Sequence, residues 1–216
     1  MPLTLHGYRY SVYVRIARLA LAEKGLPCEQ IEVDPFAEQV PAGYLALHPF
    51  GRVPTLVHDG FVLYETGAIT RYLDRAFPGP ALQPRSPQAW ARMDQIIGVV
   101  DSYAYWPLVR QVFSHRVFRP ALGRPADEAE VAKGVAGATR VLGALEALAA
   151  SETFLVGPQL SLADLHVGAM VAYFVMAPEG AAMLRGHPRL DAWWRIVSRR
   201  PSFAATDPGL PVDTGP

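Results

Sequence analysis

Between Phe77 and Pro87 the chain reads FPGPALQPRSP, with prolines at 78, 80, 84 and 87. Proline fixes φ and has no N–H, so this stretch can neither continue a helix nor sit inside a sheet. It reads as an extended linker. It also separates two kinds of pattern. Before it, strands and helices alternate; after it there is almost no strand signal. This predicts an α/β unit over residues 1–77, a linker over 78–87 and an all-helical unit over 88–216.

The first unit has a readable order. Leu3 to His6 predicts a short strand, and Ser11 to Lys24 a helix with Val12, Ile16, Leu19 and Ala20 on one side. Gly25 suits the helix stop, and Pro27 prevents continuation. Ile31 and Val33 alternate with Glu32, as in a strand. An irregular stretch with room for one helix follows. Then comes RVPTLVHDGFVLYET, residues 52–66. Thr55 to Val57 predicts one strand, Asp59-Gly60 a tight reversal, Phe61 to Tyr64 a second strand, and Glu65-Thr66 a helix start. Ile69, Tyr72, Leu73, Ala76 and Phe77 continue that helix at its proper spacing. The expected order is β-α-β, an irregular stretch, then β-β-α.

In the second unit, Trp90, Met93, Ile97 and Val100 form one helical stripe. Val131, Val135, Ala138, Leu142 and Leu145 form another. Ser161-Leu162-Ala163-Asp164 fits a capping box, in which each side chain satisfies an orphan amide. Leu190, Trp193, Trp194 and Val197 mark a further helix. The Pro/Gly-rich segment after Pro201 is expected to lie on the surface or fray.

Composition narrows the function. Twenty Lys and Arg balance twenty Asp and Glu, which argues against a nucleic-acid partner, for which a basic surplus is needed. The longest apolar run, Val167 to Ala177, is too short to span a bilayer. The chain opens without a basic-then-apolar leader. A single cysteine, Cys28, rules out an internal disulfide framework and fits a reducing, cytoplasmic compartment. Cys28 is expected to be a small buried apolar residue. The six histidines lack metal-ligand spacing, so no metal is expected.

Four stretches together resemble the glutathione S-transferase family: GYRYSVYVRIARLALAEK from Gly7, HPFGRVPTL from His48, LYETGAITRYLD from Leu63, and SLAD from Ser161. The resemblance spans nearly the whole chain. It implies a thioredoxin-like N-terminal domain, an all-α C-terminal domain, glutathione as co-substrate and a homodimer. It also implies a cis Val53-Pro54 bond that turns the Val53 backbone toward the cysteinyl part of glutathione as an added strand. From the residues alone, a trans proline opening an edge strand is the competing reading. The resemblance further implies that Thr66 binds the γ-glutamyl carboxylate and Glu65 its ammonium. Free amides at a helix start favour a carboxylate there, although an ordinary N-cap would look the same. Arg52 is a candidate for a ligand carboxylate, and Gln39 lies near another family contact.

Ser11, at the start of the first helix, is the candidate to activate the thiol. Lowering a thiol pKa by about two units needs roughly 2.7 kcal/mol. One hydrogen bond to a charged acceptor contributes about 1.5–3 kcal/mol, so a single hydroxyl suffices. Tyr10 and Tyr8 are alternatives, and Ser11 as a plain N-cap is another. No cysteine occupies this turn, which disfavours the mixed-disulfide members of the family. Tyr10, Tyr103, Tyr105, Trp106 and Arg110 are candidates for the walls of a pocket for a hydrophobic electrophile. Phe113, Tyr173 and Met176 are further candidates, and part of this aromatic set is expected to be core. The expected activity is conjugation of the glutathione thiolate to that electrophile. The alternatives are a non-catalytic ligand-binding or interaction module, and a glutathione-dependent peroxidase or isomerase.

Overall fold

The computed structural model describes residues 2–150 and 152–211. The chain divides into two compact units: residues 1–81 together with 201–208, and residues 82–200 together with 209–216.

The first unit is built on a four-stranded sheet in the order β2-β1-β3-β4. β1 is Leu3–Gly7, β2 Cys28–Glu32, β3 Thr55–His58 and β4 Phe61–Tyr64. β1 and β2 are parallel, joined across helix α1, Val12–Glu23. β1 and β3 are antiparallel, as are β3 and β4. The β3–β4 reversal is Asp59-Gly60, both with positive φ (51° and 80°), the backbone a two-residue hairpin needs to match strand twist. Helix α3, Thr66–Ala76, packs on α1. Gly25, at φ 64°, ends α1, and the Leu26 N–H closes back onto the Leu21 carbonyl. Lys24 ties this corner together. Its buried ammonium donates to the Asp74 carboxylate at 3.2 Å and carbonyl at 3.3 Å, and to the Pro80 carbonyl at 3.1 Å.

Three details differ from the sequence reading. The second strand ends at Glu32, with Ile31 40% exposed and Val33 buried just beyond it. β2 lies at a sheet edge, so one periodic pair was too little signal to fix its face. Cys28 is half-buried, and its thiol is pushed up to about 11, chiefly by burial. The segment after Pro201 is a helix, α10, Pro201–Ala205, packed on α1. There the Arg15 guanidinium donates to the Phe203 carbonyl, and the Ser202 hydroxyl to the Glu23 carboxylate.

The second unit is helical. α4, Pro87–Val99, is capped by Ser86, whose side chain accepts from the Ala89 N–H. It runs into a π-helix, Val100–Phe118, closed by an i→i+5 bond from the Arg119 N–H to the Ser114 carbonyl. Its wider winding changes which residues share a face, which a 3.6-residue period does not anticipate. A short turn, α5, is Arg119–Ala121. α6, Glu128–Leu148, crosses the π-helix closely because Gly134 faces Gln111 and the Pro107 carbonyl; a Cβ there would lie 2.7 Å and 3.0 Å from them. α7, Leu162–Phe174, is buried along almost its whole length. α8 is Pro178–Arg185 and α9 is Pro188–Val197.

The expected capping box at Ser161 is present and larger than predicted. The fully buried Asp164 carboxylate accepts from the Ser161 N–H (2.7 Å), the Ser161 hydroxyl (2.7 Å), the Leu155 N–H (2.9 Å) and the Trp193 Nε1–H (2.8 Å). Burial pushes this carboxyl above its ordinary range, while the four donors pull it back.

Candidate functional site

The strand register brings the predicted N-terminal residues to one end of the sheet. Thr55 stands opposite His6 on β1 and opposite Tyr64 on β4. The turn leaving β1 (Tyr8 to Ser11), the entry to β3 (Arg52 to Pro54) and the exit from β4 (Glu65-Thr66) therefore converge there.

Ser11 is the N-cap of α1. Its Oγ accepts from the Val14 N–H at 3.4 Å, and its own N–H donates to the Tyr8 carbonyl at 2.9 Å. The hydroxyl proton donates to no group among the described residues. Tyr8 and Tyr10 pack edge to face, 5.5 Å between ring centroids, and Tyr8 also meets Phe36. The Arg9 guanidinium lies 5.4 Å from the Tyr10 ring centre.

The Val53-Pro54 bond is cis, which removes the trans reading of that proline. Val53 precedes β3 and belongs to neither ladder, and Arg52 is exposed. Gln39 is exposed within the irregular stretch 33–41.

Glu65 is the most unusual backbone position. At φ 71°, ψ 114°, a non-glycine residue stands in the positive-φ half of φ/ψ space immediately before α3. Such a conformation costs on the order of 1–3 kcal/mol and marks functional sites more often than scaffolding. Glu65 is exposed, whereas Thr66 beside it is buried.

Sequence reasoning missed what lies beneath this end. Tyr44, on the short helix α2 (Ala42–Leu45), is buried; its hydroxyl lies 2.5 Å from the Arg52 carbonyl oxygen and 2.9 Å from Thr55 Oγ1. Burial raises the phenol's pKa, so it stays a donor. The buried His48 ring lies 4.7 Å from Tyr64, and burial, its largest influence, lowers its pKa. His6, 5.9 Å from Tyr44, is lowered for the same first cause. The HPFG stretch around His48 was legible as a motif, but nothing local marked Tyr44.

The pocket candidates of the second unit fall into two groups. Tyr103 and Trp106 are 67% and 64% exposed. Tyr105 stacks on Trp106, and the Arg110 guanidinium sits 5.7 Å from the Trp106 ring centre. Phe113 and Tyr173 are instead buried and stacked at 4.7 Å, which makes them core. Met176 is 43% exposed. Among the described residues, no cluster of three or more His, Cys, Asp or Glu side chains could hold a metal ion, and no helix is long and apolar enough to cross a membrane.

A four-stranded mixed sheet with a cis-proline at the entrance to its antiparallel hairpin, followed by a helical unit, defines a thioredoxin-like domain joined to an all-α domain. The chain matches the family models described as glutathione S-transferase, N-terminal domain (residues 5–81) and glutathione S-transferase, C-terminal domain (residues 105–201). It is 31% identical to glutathione S-transferase 3 of Zea mays, over 100% of this chain and 97% of that protein. The solved structure of glutathione S-transferase III in apo form superposes with a TM-score of 0.84 at 32% identity, covering 100% of both chains. Glutathione S-transferase-I, solved with lactoylglutathione bound, superposes at 0.82 with 26% identity, over 95% of this chain and 98% of that one. The chain belongs to the glutathione S-transferase family.

Proposed function

We propose that this protein binds glutathione at the end of the sheet where Ser11, Val53 and Glu65-Thr66 converge, and conjugates its thiolate to a hydrophobic electrophile. The observation that carries this reading is the convergence itself, with the strained backbone of Glu65 at its centre. An extended tripeptide pairs there with the Val53 backbone beside cis-Pro54. Its γ-glutamyl end meets the Thr66 amide and hydroxyl at the positive end of α3, with the Glu65 carboxylate taking the ammonium. Arg52 adds a cation at the rim.

Ser11 activates the thiol. Its uncommitted proton and the α1 N-terminus both favour the thiolate over the thiol. The proton leaves to solvent, the thiolate sulfur bonds to the electrophilic carbon, and the leaving group departs with its electron pair. Tyr10, Tyr103, Tyr105, Trp106 and Arg110 are assigned to contacts with the electrophile; the exposure of Tyr103 and Trp106 supports this. A homodimer, a cytoplasmic location and a role in detoxification complete the reading. The single cysteine supports the location, and zero net charge fits a small-molecule substrate in place of a nucleic acid.

The test is retention on immobilised glutathione together with conjugation of glutathione to an activated aromatic halide. Ser11→Ala is expected to keep retention and lose on the order of 10²-fold in kcat, about 2.7 kcal/mol of thiolate stabilisation. Wild type that shows neither retention nor conjugation refutes the function. Intact turnover in Ser11→Ala with none in Tyr10→Phe moves the activating role to Tyr10.

A further inference from the structure

The buried Tyr44 hydroxyl stands at a peptide group that also carries a ligand-facing donor. A tyrosine has one hydroxyl proton. The Arg52 carbonyl, 2.5 Å away, can only accept, so Tyr44 donates to it. That leaves the Tyr44 oxygen as acceptor for the second neighbour, so the fully buried Thr55 hydroxyl donates to it at 2.9 Å. The result is a directed chain, Thr55 Oγ1–H to Tyr44 Oη–H to the Arg52 carbonyl.

The Arg52 carbonyl and the Val53 N–H belong to one peptide unit. Amide resonance couples them: a hydrogen bond received by the oxygen draws density from the nitrogen and makes its N–H a stronger donor. The Val53 N–H itself donates to no group among the described residues. We infer that Tyr44, oriented by Thr55, is a positioning residue that holds the Arg52–Val53 peptide in place and polarises its N–H for the cysteinyl carbonyl of glutathione.

The inference rests on the proposed glutathione site. It reaches a residue on a different element, ahead of the HPFG motif, that touches no ligand. It also gives the Tyr44–Thr55 pair a purpose beyond packing. A merely structural tyrosine would fix the loop but leave the amide's donor strength unchanged.

The experiment uses the full chain in three variants. Tyr44→Phe keeps the ring and removes the hydroxyl, Thr55→Val removes the relay's first donor at equal size, and Thr55→Ser restores it. The Val53 amide proton is followed by NMR without ligand, and S-hexylglutathione affinity and the two KM values are measured beside it. Tyr44→Phe is expected to move the Val53 proton upfield and weaken glutathione binding about three- to tenfold, with the KM for the aromatic halide unchanged. Thr55→Val moves both in the same direction by less, and Thr55→Ser recovers them. An unmoved Val53 amide, or equal affinity in wild type and Tyr44→Phe, overturns the inference while leaving the proposed function standing. Wild type that fails to bind S-hexylglutathione overturns both, and that result is read from wild type alone.

Discussion

Replacing Asp164 by asparagine changes one atom in a fully buried site with four donors. The new amide must turn its NH₂ toward either the Ser161 pair or the Leu155–Trp193 pair. Facing Ser161 is cheaper, because the Ser161 hydroxyl can rotate and become an acceptor, leaving only the Ser161 N–H without a partner. One orphaned buried donor costs about 1–3 kcal/mol. The two bonds kept on the other side fall from charge-assisted to neutral, a loss of roughly 1 kcal/mol each, partly offset because no charge is buried any longer. The net expectation for Asp164→Asn is about 2–3 kcal/mol. Asp164→Ala leaves all four donors without their acceptor at once and is expected to cost about 4–6 kcal/mol, against a total stability of roughly 5–15 kcal/mol for a domain. Urea unfolding followed by tryptophan fluorescence measures both, because Trp193 is one of the four donors. Asp164→Asn within about 0.5 kcal/mol of wild type, or Asp164→Ala no worse than Asp164→Asn, refutes the reasoning.

Glu65→Gly relieves the positive-φ backbone and is expected to raise stability by about 1 kcal/mol while abolishing retention on glutathione, measured by melting temperature and column retention. His48 and His6 have folded pKa values below 6.5, burial being the first cause for each. Between the folded and unfolded values the unfolded chain binds more protons, so stability is full above about pH 6.5 and falls as the solution is acidified through that window. Urea midpoints between about pH 8 and pH 5 check this, and His48→Gln should flatten the slope.

What the sequence disclosed was local. The Asp59-Gly60 reversal, the start of α1 at Ser11, the Gly25 stop and the Ser161–Asp164 box each depend on residues within a few positions, and each is found where the pattern placed it. What it hid is long-range or conformational. Trp193 completes the Asp164 site from 29 residues away. The strain at Glu65 has no compositional sign, since glutamate ordinarily avoids positive φ. Tyr44 reads as one aromatic in an irregular stretch; its role exists only once β3 is folded beside it. The segment from Pro201 reads by composition as lying on the surface or fraying, yet it forms a helix that a bond from Arg15, 188 positions earlier, holds.

That last contact bears on how the chain is made. The first unit is not closed by its own first 81 residues; α10 reaches it only after the whole helical unit has been synthesised. On the ribosome, α1 must therefore wait without the Phe203 carbonyl, to which Arg15 donates, until that stretch emerges. A fragment ending at the linker would carry the sheet and the residues proposed to bind glutathione but lack the piece that seals the back of α1.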